Sequence, residues 1–260
     1  MQAAGDSAVG VYFPVIGPDG RRTAPGCVTG PDGKRYVDEE SGSEGRNYSV
    51  RRQDGGLIEL DVVLHERGVA TTWANTTGPG DRVGLDHARS WYRPAADTAW
   101  QLLVADLSGL PAAARIVEQL PGGQPVTVIA EVADTADLEY LPQHPDVTVI
   151  SSVGTGNGYA PSQLARLAAN VALPEGRGYC WFAGEAAQSR AVRKHFRGLG
   201  WTIEQLDVTG YWRFDSETWD AKYVAVADEV EAIWVKAMAD GRGERVADEL
   251  YDEALERAGL

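Results

Sequence analysis

The chain has 260 residues, of which 43% are hydrophobic, and a formal net charge of −14 at pH 7. This length suffices for two modest domains, each with its own core, or for one large domain, and we expect two. The acidic charge argues against general binding to nucleic acids or anionic membranes, because both need a basic protein surface. An anionic ligand would therefore need a local basic pocket.

The two cysteines and the N-terminal segment bear on the cellular location. Cys27 and Cys180 are far apart and lack the paired spacing of a disulfide framework or a zinc site. The opening MQAAGDSAVG lacks the basic and apolar regions of a secretory signal, and no apolar run reaches the length needed to span a membrane. We therefore expect a cytoplasmic protein without membrane insertion.

Short strand-like runs separated by turn signals fill residues 1–96. The runs AVGVYFPV, NYSVRR, LIELDVVLH and DRVGLD alternate with the turn sequences GPDG, QDGG and TGPGD. This spacing is typical of antiparallel β structure. We predict a first domain of antiparallel strands over residues 1–96.

The pattern changes to alternating strands and helices over residues 97–213. The apolar runs LLVAD, QPVTVIAEVA, VTVISS and GYCWFAG alternate with the helical stretches LPAAARIVEQL, SQLARLAANVAL and AAQSRAVRKHF. This repetition predicts a second domain with a parallel sheet that is covered by helices on both faces.

Residues 214–260 are charged and predict a helical extension. A first helix is predicted from five apolar residues that share one face at helical spacing, namely Val230, Ile233, Trp234, Ala237 and Met238. After an interruption by two glycines, the run RVADELYDEALERA predicts a second helix.

The run RNYSVR, residues 46–51, carries polar side chains on both faces of a predicted strand. Because side chains alternate along a strand, Arg46 and Tyr48 share one face while Asn47 and Ser49 share the other. The pattern fits either a polar surface strand or a strand that binds a cofactor.

The segment DVVLHERGVATTWA, residues 61–74, follows after a short turn. Asp61, Val63 and His65 alternate onto one strand face, and a Thr-rich turn that opens a helix comes after Gly68. Such a turn offers backbone N–H groups and hydroxyls to a phosphate, and Arg46 would add positive charge. The alternative is a surface hairpin whose threonines only cap a helical turn.

Six ordered blocks resemble the siderophore-interacting protein family, the flavin-dependent ferric-siderophore reductases of the ferredoxin-reductase superfamily. The blocks are RNYSVR, DVVLHERGVATTWA, PGDRVGL, LLVADLSGLPAAARIVEQLP, WFAGEAAQSRAVRKHF and GYWR. The resemblance implies a β + α/β fold: a flavin-binding β-barrel, a parallel-sheet nicotinamide-binding domain and a C-terminal helical extension. It also implies an enzyme that uses FAD to pass electrons from NADPH or NADH to a ferric siderophore, which releases ferrous iron.

The resemblance assigns flavin contacts mainly to the first domain. It implies Arg46 at the FAD diphosphate, Tyr48 against the isoalloxazine ring and Ser49 near the reactive flavin nitrogen. Asp106 and Ser108 resemble the turn at which the flavin meets the nicotinamide. The second flavin-binding block is matched by Asp61, Val63, His65, Gly68, Ala70, Thr71 and Trp73, with His65 favoured as a flavin contact over a proton-transfer group.

The segment CWFAGEAAQSRAVRK predicts the nicotinamide site. A strand, a glycine turn and a helix place a helix N-terminus at Gly184, Glu185 and Ala186, where dinucleotide phosphates can lie. The resemblance implies NADPH, and candidates for contact with its extra phosphate are Arg190, Arg193 and Lys194. The alternative is a solvated basic helix face.

A rival phosphate cradle is GTGNGYAPSQ, which also lies between a strand and a helix. It contains Gly154, Gly156 and Gly158, but Tyr159 replaces the third glycine of the dinucleotide fingerprint.

An acidic protein that handles an anionic ferric chelate must place positive charge locally. By their positions relative to the matched blocks, the substrate-binding candidates are Lys34, Arg93 and Arg213, and Arg35 is a substitute for Lys34. We expect Arg51 to be a surface or substrate-side charge. The histidines show no ligand-like spacing, so we expect no resident metal site.

The chain departs from the family pattern at its beginning. Members usually have one or two further strands before the block that resembles AVGVYFPV, so we expect a barrel with an exposed edge and weaker FAD binding. The C-terminal helices would pack on the nicotinamide domain, cover the flavin or mediate dimerisation. Alternatives are a general flavin or ferredoxin-type reductase and a non-catalytic flavin-binding protein, and ferredoxin is an alternative electron donor.

Overall fold

Eight described strands form the antiparallel part of the molecule. The computed structural model describes residues 5–17, 19–30, 35–37, 45–65 and 68–260, so the candidate Lys34 lies outside the described residues. In chain order the strands are β1 Ala8–Tyr12, β2 Val15–Ile16, β3 Arg22–Thr23, β4 Cys27–Thr29, β5 Arg35–Val37, β6 Gly45–Asp54, β7 Leu57–Leu60 and β8 Gly84–Arg89.

Four of these strands form one antiparallel sheet in the order β7-β6-β1-β8. A two-residue loop joins β6 to β7, and its first residue, Gly55, has a φ of +54°, as tight hairpins require. Two smaller ladders pair β2 with β3 and β4 with β5. In the described part of the chain β7 and β8 stay at opposite ends of the sheet. The predicted antiparallel fold of this region is confirmed.

The first half of β6 is paired on one side only. Residues 45–49 pair with β1, from Gly45 opposite Tyr12 to Ser49 opposite Ala8, whereas β7 joins the other side only from Val50. Within the described chain, residues 46–49 therefore have an open backbone edge. The N–H and C=O groups on such an edge can meet a ligand or another strand.

The segment after β7 differs from the sequence prediction. LIELDVVLH predicts one strand through His65, but β7 ends at Leu60, and residues 61–65 pair with no described strand. The expected alternation of Asp61, Val63 and His65 on a strand face is therefore wrong, because a strand requires a ladder partner for its backbone groups. The helix predicted in this segment is present as α1, Val69–Ala74.

The second part of the molecule is a five-stranded parallel sheet with the strand order β11-β10-β9-β12-β13. Two buried apolar clusters cover its opposite faces, because successive residues of each strand point to opposite sides. The predicted α/β fold is confirmed. Its elements are β9 Trp100–Ala105, α2 Leu110–Glu118, β10 Val126–Val132, β11 Val147–Val153, α3 Leu164–Asn170, β12 Gly178–Glu185, α4 Ala186–Gly198 and β13 Leu206–Trp212, with 3₁₀ turns at Thr135–Tyr140 and Ile203–Gln205.

The order of the parallel strands defines where a ligand binds. From the central strand β9 the chain builds β10 and β11 on one side, then returns to build β12 and β13 on the other. In open parallel sheets, ligands bind at the carboxyl ends of the strands where the order reverses in this way. We call the end of β9 and the end of β12 the switch point.

Helix α2 and Asp6 join the two sheets. Residues 110–117 of α2 are all buried, and the Arg115 guanidinium donates a hydrogen bond of 2.6 Å to the carbonyl oxygen of Val50 in β6. The fully buried Asp6 carboxylate accepts hydrogen bonds from Ser90 Oγ (2.5 Å) and Trp181 Nε1 (3.1 Å). It also accepts bonds from the backbone N–H groups of residues 91 and 92, so the connecting segment is fixed between the sheets.

Three helices follow the parallel sheet: α5 Ser216–Tyr223, α6 Ala227–Ala239 and α7 Glu244–Arg257. α6 and α7 were expected from the sequence, and α5 was not. Val230 and Ala237 are buried as predicted, but Met238 is 39% exposed and lies off the buried face. Helix α7 packs on α4, as one of the three expectations has it, through ion pairs of Arg193 with Asp252, Lys194 with Glu256 and Arg197 with Glu249.

Within the described ranges, every helix is too short or too polar to cross a lipid bilayer.

Candidate functional site

Asp106 organises the switch point. It follows β9 directly, and its buried carboxylate accepts hydrogen bonds from Ser108 N (2.9 Å), Ser108 Oγ (2.6 Å), Glu185 N (3.0 Å) and Trp212 Nε1 (2.6 Å). Burial raises the pKa of Asp106, against the opposing effect of the hydrogen bonds from Ser108 and Trp212. One carboxylate therefore ties together the ends of β9, β12 and β13.

The predicted phosphate site at the start of α4 lies beside Asp106. A Cβ on Gly184 would lie 2.8 Å from Asp106 Oδ2, so the position of the Asp106 carboxylate requires glycine there. The Glu185 side chain caps α4 by accepting a hydrogen bond of 3.0 Å from Gln188 N. This carboxylate already satisfies one of the N–H groups that a phosphate would use, and its charge opposes an anion.

The rival glycine-rich loop reaches the same edge of the sheet. It is held by the buried carboxylate of Glu131 in β10, which accepts bonds from Thr155 Oγ1 (2.8 Å), Ser162 Oγ (2.6 Å) and Gln163 N (2.6 Å). Asn157 Oδ1 then accepts a bond of 2.9 Å from the backbone N–H of Leu107, next to Asp106. The structure thus joins both candidate cradles into one surface at the switch point.

Tyr48 and Ser49 of β6 point to opposite sides of the antiparallel sheet. Tyr48 lies edge-on to Phe13 at 6.4 Å, in an open hollow of about 290 Å³ that Trp73 also lines. Burial raises the pKa of Tyr48. Ser49 faces the parallel sheet and is only 6% exposed.

Among the residues that the structure describes, the buried Ser49 hydroxyl has no hydrogen-bond partner, and neither has the hydroxyl of Tyr211 in β13. Burial raises the pKa of Tyr211, whereas the Ser49 hydroxyl lowers it, so the two hydroxyls are close neighbours. Buried polar atoms are normally paired, and unpaired ones call for an explanation by a missing water or ligand. The hydroxyls lie on one side of the sheet and the hollow lies on the other, with the open edge of β6 between them. A flat aromatic group with a polar rim, such as the isoalloxazine of FAD, fits this edge.

The other residues of the proposed flavin blocks differ in exposure and in the contacts they make. Arg46 is exposed and donates a bond of 2.8 Å to the Gly45 carbonyl oxygen. The Asp61 carboxylate accepts a bond from the Tyr140 hydroxyl of the parallel part. His65 and Val63 are exposed, and Ala70 and Thr71 of α1 are buried. A Cβ added to Gly68 would lie 3.0 Å from His65 Cε1.

The two described basic candidates for substrate binding, Arg93 and Arg213, are not brought together. Arg213 stacks over the Trp219 ring, with its guanidinium carbon 3.9 Å from the ring centre. The backbone N–H of Arg93 donates to Asp207, in the first half of β13. The chain from Asp207 to Arg213 spans roughly 20 Å when extended. Arg93 therefore lies beside the start of β13, and Arg213 lies just beyond its end.

The two arginines proposed for NADPH have different surroundings. Arg193 forms an ion pair with Asp252 of α7 and donates a bond of 2.6 Å to the Val208 carbonyl oxygen. Arg190 lies one turn nearer the switch point and makes no hydrogen bond or ion pair with any residue that the structure describes. Arg190 is thus available to a ligand, whereas Arg193 already holds the C-terminal helix.

The expectation for Arg51 is wrong. It is 6% exposed and forms a bidentate ion pair with Glu118 at the end of α2, so it is neither a surface nor a substrate-side charge. The register between β6 and β7 shifts at this residue, which strict alternation along the strand does not predict. Tyr211, Glu131 and Asn157 were also missed. A glutamate inside the apolar run QPVTVIAEVA was the available signal for a buried polar network.

An antiparallel sheet followed by a five-stranded parallel sheet is the architecture that this chain shares with a known class of fold. The chain is similar in structure to a ferredoxin NADP+ reductase from Neisseria gonorrhoeae, with a TM-score of 0.55 and 15% identity. The match covers 81% of this chain and 87% of that one. The chain therefore has a ferredoxin-reductase-like fold.

The sequence comparisons identify the family within that class. The family model for a siderophore-interacting FAD-binding domain matches residues 2–89, and the model for a siderophore-interacting protein matches residues 98–215. A siderophore utilization protein from T. fusca is 32% identical, with a TM-score of 0.67, and the match covers 82% of this chain and 81% of that one. The chain belongs to the siderophore-interacting protein family.

A curated relative is the NADPH-dependent ferric-chelate reductase of Escherichia coli strain K12. It is 27% identical over 158 residues, and the match covers 60% of each chain. The chain thus matches less than two thirds of the length of this relative.

Proposed function

We propose that the protein is an FAD-dependent reductase that transfers electrons from NADPH to ferric siderophores, from which ferrous iron is then released. The observation that carries the proposal is the pair of buried, unpaired hydroxyls of Ser49 and Tyr211, which lies between the open edge of β6 and β13. Membership of the family and the reductase relative support it. The division into domains 1–96, 97–213 and 214–260 is part of the proposal.

The open edge of β6 would hold the flavin. Ser49 and Tyr211 would hydrogen-bond its polar rim, Tyr48 would contact the ring from the hollow, and Arg46 would pair with the diphosphate. The neighbouring block would complete the site with Val63, His65, Gly68, Ala70, Thr71 and Trp73, whereas the Asp61 carboxylate is already held by the Tyr140 hydroxyl. Bound FAD would accept two electrons from NADPH and pass them one at a time to iron.

The switch point would hold the nicotinamide donor. The turn of Asp106 and Ser108 and the strand end at Gly184, Glu185 and Ala186 would form its floor. Arg190 would contact the extra phosphate of NADPH, since this arginine has no partner among the described residues. The hydrogen bond from Trp212 to Asp106 would keep this floor rigid and shield it from water.

The ferric siderophore is the substrate, and its iron is cargo. Of the three basic candidates, Arg213 is the one placed just beyond β13, at the end where Tyr211 and Trp212 lie. Lys34 remains a candidate from the sequence alone, and Arg93 would contact only a substrate that extends toward the start of β13. The cytoplasm remains our proposed location, because Cys27 and Cys180 are both unpaired.

An assay with chosen donors and acceptors tests the proposal. FAD-loaded protein is mixed anaerobically with NADPH and a ferric hydroxamate or catecholate, and ferrous iron is trapped by a coloured chelator. We expect ferrous iron to form only when the protein, FAD and NADPH are all present. Equal rates with unrelated acceptors would favour a general flavin reductase. Activity with reduced ferredoxin but not with NADPH would make ferredoxin the electron donor. FAD binding without turnover would favour a non-catalytic protein.

A pair of arginine substitutions separates NADPH binding from helix docking. Arg190→Ala is expected to raise KM for NADPH about tenfold with little change in kcat, because it removes a uniform binding contact, and to leave the free energy of unfolding within about 0.5 kcal/mol. Arg193→Ala is expected to lower that free energy by about 2 kcal/mol, because Asp252 and Val208 lose a charged donor. Steady-state kinetics and urea unfolding of both variants check this. The assignment fails if Arg193→Ala raises KM and Arg190→Ala does not.

A further inference from the structure

Arg51 connects the flavin strand to the nicotinamide-binding part. It is two residues beyond Ser49 on β6, and its buried guanidinium donates bonds of 2.8 and 2.6 Å to the two carboxylate oxygens of Glu118. The hydrogen bond from Arg51 lowers the pKa of Glu118, so this carboxylate is charged at neutral pH. Planar bidentate pairs of this kind fix geometry as well as adding energy.

Tyr140 closes the same contact from the other side. Its ring lies 5.3 Å from the Arg51 guanidinium carbon, and its hydroxyl donates to Asp61, just after β7. Burial and the bond to Asp61 raise the pKa of Tyr140, so its hydroxyl stays protonated and remains a donor. Asp61 and Arg51 come from the antiparallel part, while Glu118 and Tyr140 come from the parallel part.

The contact lies on elements that begin at the two proposed binding edges. β6 runs from the open edge at 46–49 directly into Arg51. Helix α2 begins at Leu110, four residues after Asp106 at the switch point, and ends at Glu118. A bond between Arg51 and Glu118 therefore links a rigid strand that starts at the flavin edge to a rigid helix that starts at the nicotinamide edge.

We propose that Arg51, Asp61, Glu118 and Tyr140 form a clamp that sets the distance and angle between the two binding edges. They are positioning residues for electron transfer from NADPH, and this inference rests on the proposed function. Interfaces within a chain permit relative motion of their parts unless specific contacts prevent it. A misplacement of 1 Å between reacting groups can slow a reaction by up to about a hundredfold. The role of Asp61 in the clamp differs from the flavin contact that the family resemblance implies.

The test uses Tyr140→Phe, which removes only the hydroxyl, and Glu118→Gln, which removes the charge that Arg51 binds. The control is Tyr223→Phe, because the Tyr223 hydroxyl also bonds a carboxylate, that of Glu231, but lies in the C-terminal helices. Flavin reduction is followed by stopped-flow absorbance at saturating NADPH and, separately, with dithionite. Affinity for FAD is measured by equilibrium titration.

We expect both clamp variants to slow flavin reduction by NADPH about tenfold while reduction by dithionite and FAD affinity stay as in the unchanged protein. The control should match the unchanged protein in every measurement. Unchanged rates in Tyr140→Phe and Glu118→Gln would overturn the clamp. So would an Asp61→Asn variant that loses FAD affinity while Tyr140→Phe does not, because Asp61 would then act as a flavin contact.

Hydrogen exchange of the chain without added cofactors separates failure of the clamp from failure of the proposed function. If the clamp exists, backbone amides of 50–52 and 135–141 exchange faster in Tyr140→Phe than in the unchanged protein or in Tyr223→Phe. If exchange is faster in Tyr140→Phe but NADPH does not reduce the flavin of the unchanged protein, the proposed reductase function is rejected and the clamp contact is supported. Unchanged exchange would reject the contact whatever the activity.

Discussion

Replacement of Asp106 by alanine is expected to destabilise the protein by about 3 kcal/mol or more, because it leaves several buried donors without an acceptor. The carboxylate accepts four hydrogen bonds, from two atoms of Ser108, from Glu185 N and from Trp212 Nε1. Together these bonds connect the turn after β9 with the ends of β12 and β13. Loss of this acceptor should therefore also abolish measurable reduction of bound flavin by NADPH, because the floor of the donor site loses its shape.

Urea unfolding measures the change in the free energy of unfolding. An unchanged m-value shows that the variant exposes the same surface on unfolding as the unchanged protein. Asp134→Ala is the matched control, because the exposed Asp134 carboxylate caps a 3₁₀ turn through a bond of 2.8 Å to Ala136 N and should cost only about 1 kcal/mol. Asp106→Asn, which keeps the volume and one acceptor oxygen, should fall between the two. Equal losses for Asp106→Ala and Asp134→Ala would contradict the role of Asp106 as an organising group.

Replacement of Gly156 by alanine is expected to cost about 3 kcal/mol through two separate effects. Gly156 has a φ of +62°, which L-residues rarely adopt, and an added Cβ would lie 1.8 Å from Glu131 Oε2. Glu131 cannot move aside freely, because Thr155, Ser162 and Gln163 hold its buried carboxylate. The loop should shift and carry Asn157 away from Leu107, which should raise KM for NADPH.

Gly154→Ala is the control for backbone strain alone. Gly154 has a φ of +71°, but apart from its two chain neighbours no described residue has a heavy atom within 4 Å of the added Cβ, so this change should cost only about 1 kcal/mol. Unfolding of the two variants and their KM for NADPH can be compared directly. If Gly154→Ala and Gly156→Ala were equally stable and had the same KM, Glu131 would not organise this loop.

The parts of the fold that repeat a simple pattern could be predicted from the sequence. Alternating apolar strands and helices indicated the parallel sheet, and β9 and β12 are almost completely buried, as such continuous apolar runs require. The helix after Gly68 and the helices α6 and α7 also followed from local signals. By contrast, β7 was predicted too long, because the length of a strand depends on a partner elsewhere in the chain.

The contacts between the two sheets could not be predicted, because they depend on how separate elements meet. Arg51 and Arg115 look like surface charges in the sequence, yet both are buried where β6 meets α2. Arg193 and Arg190 are three residues apart on one helix, and only the docking of α7 distinguishes them. Tyr211 was inside a recognised block, but its buried, unpaired hydroxyl is visible only when β13 is placed beside Ser49.

The most direct test of the account is the anaerobic visible spectrum of the FAD-loaded protein, recorded by stopped flow. Mixing with NADPH should bleach the flavin absorbance, and a second mixing with a ferric siderophore should restore it while ferrous iron appears. Ser49→Ala and Tyr211→Phe should shift the spectrum of the bound flavin, because both hydroxyls are expected to hydrogen-bond its rim. A protein that binds no FAD, or whose bound FAD is neither reduced by NADPH nor reoxidised by the ferric chelate, would contradict the account.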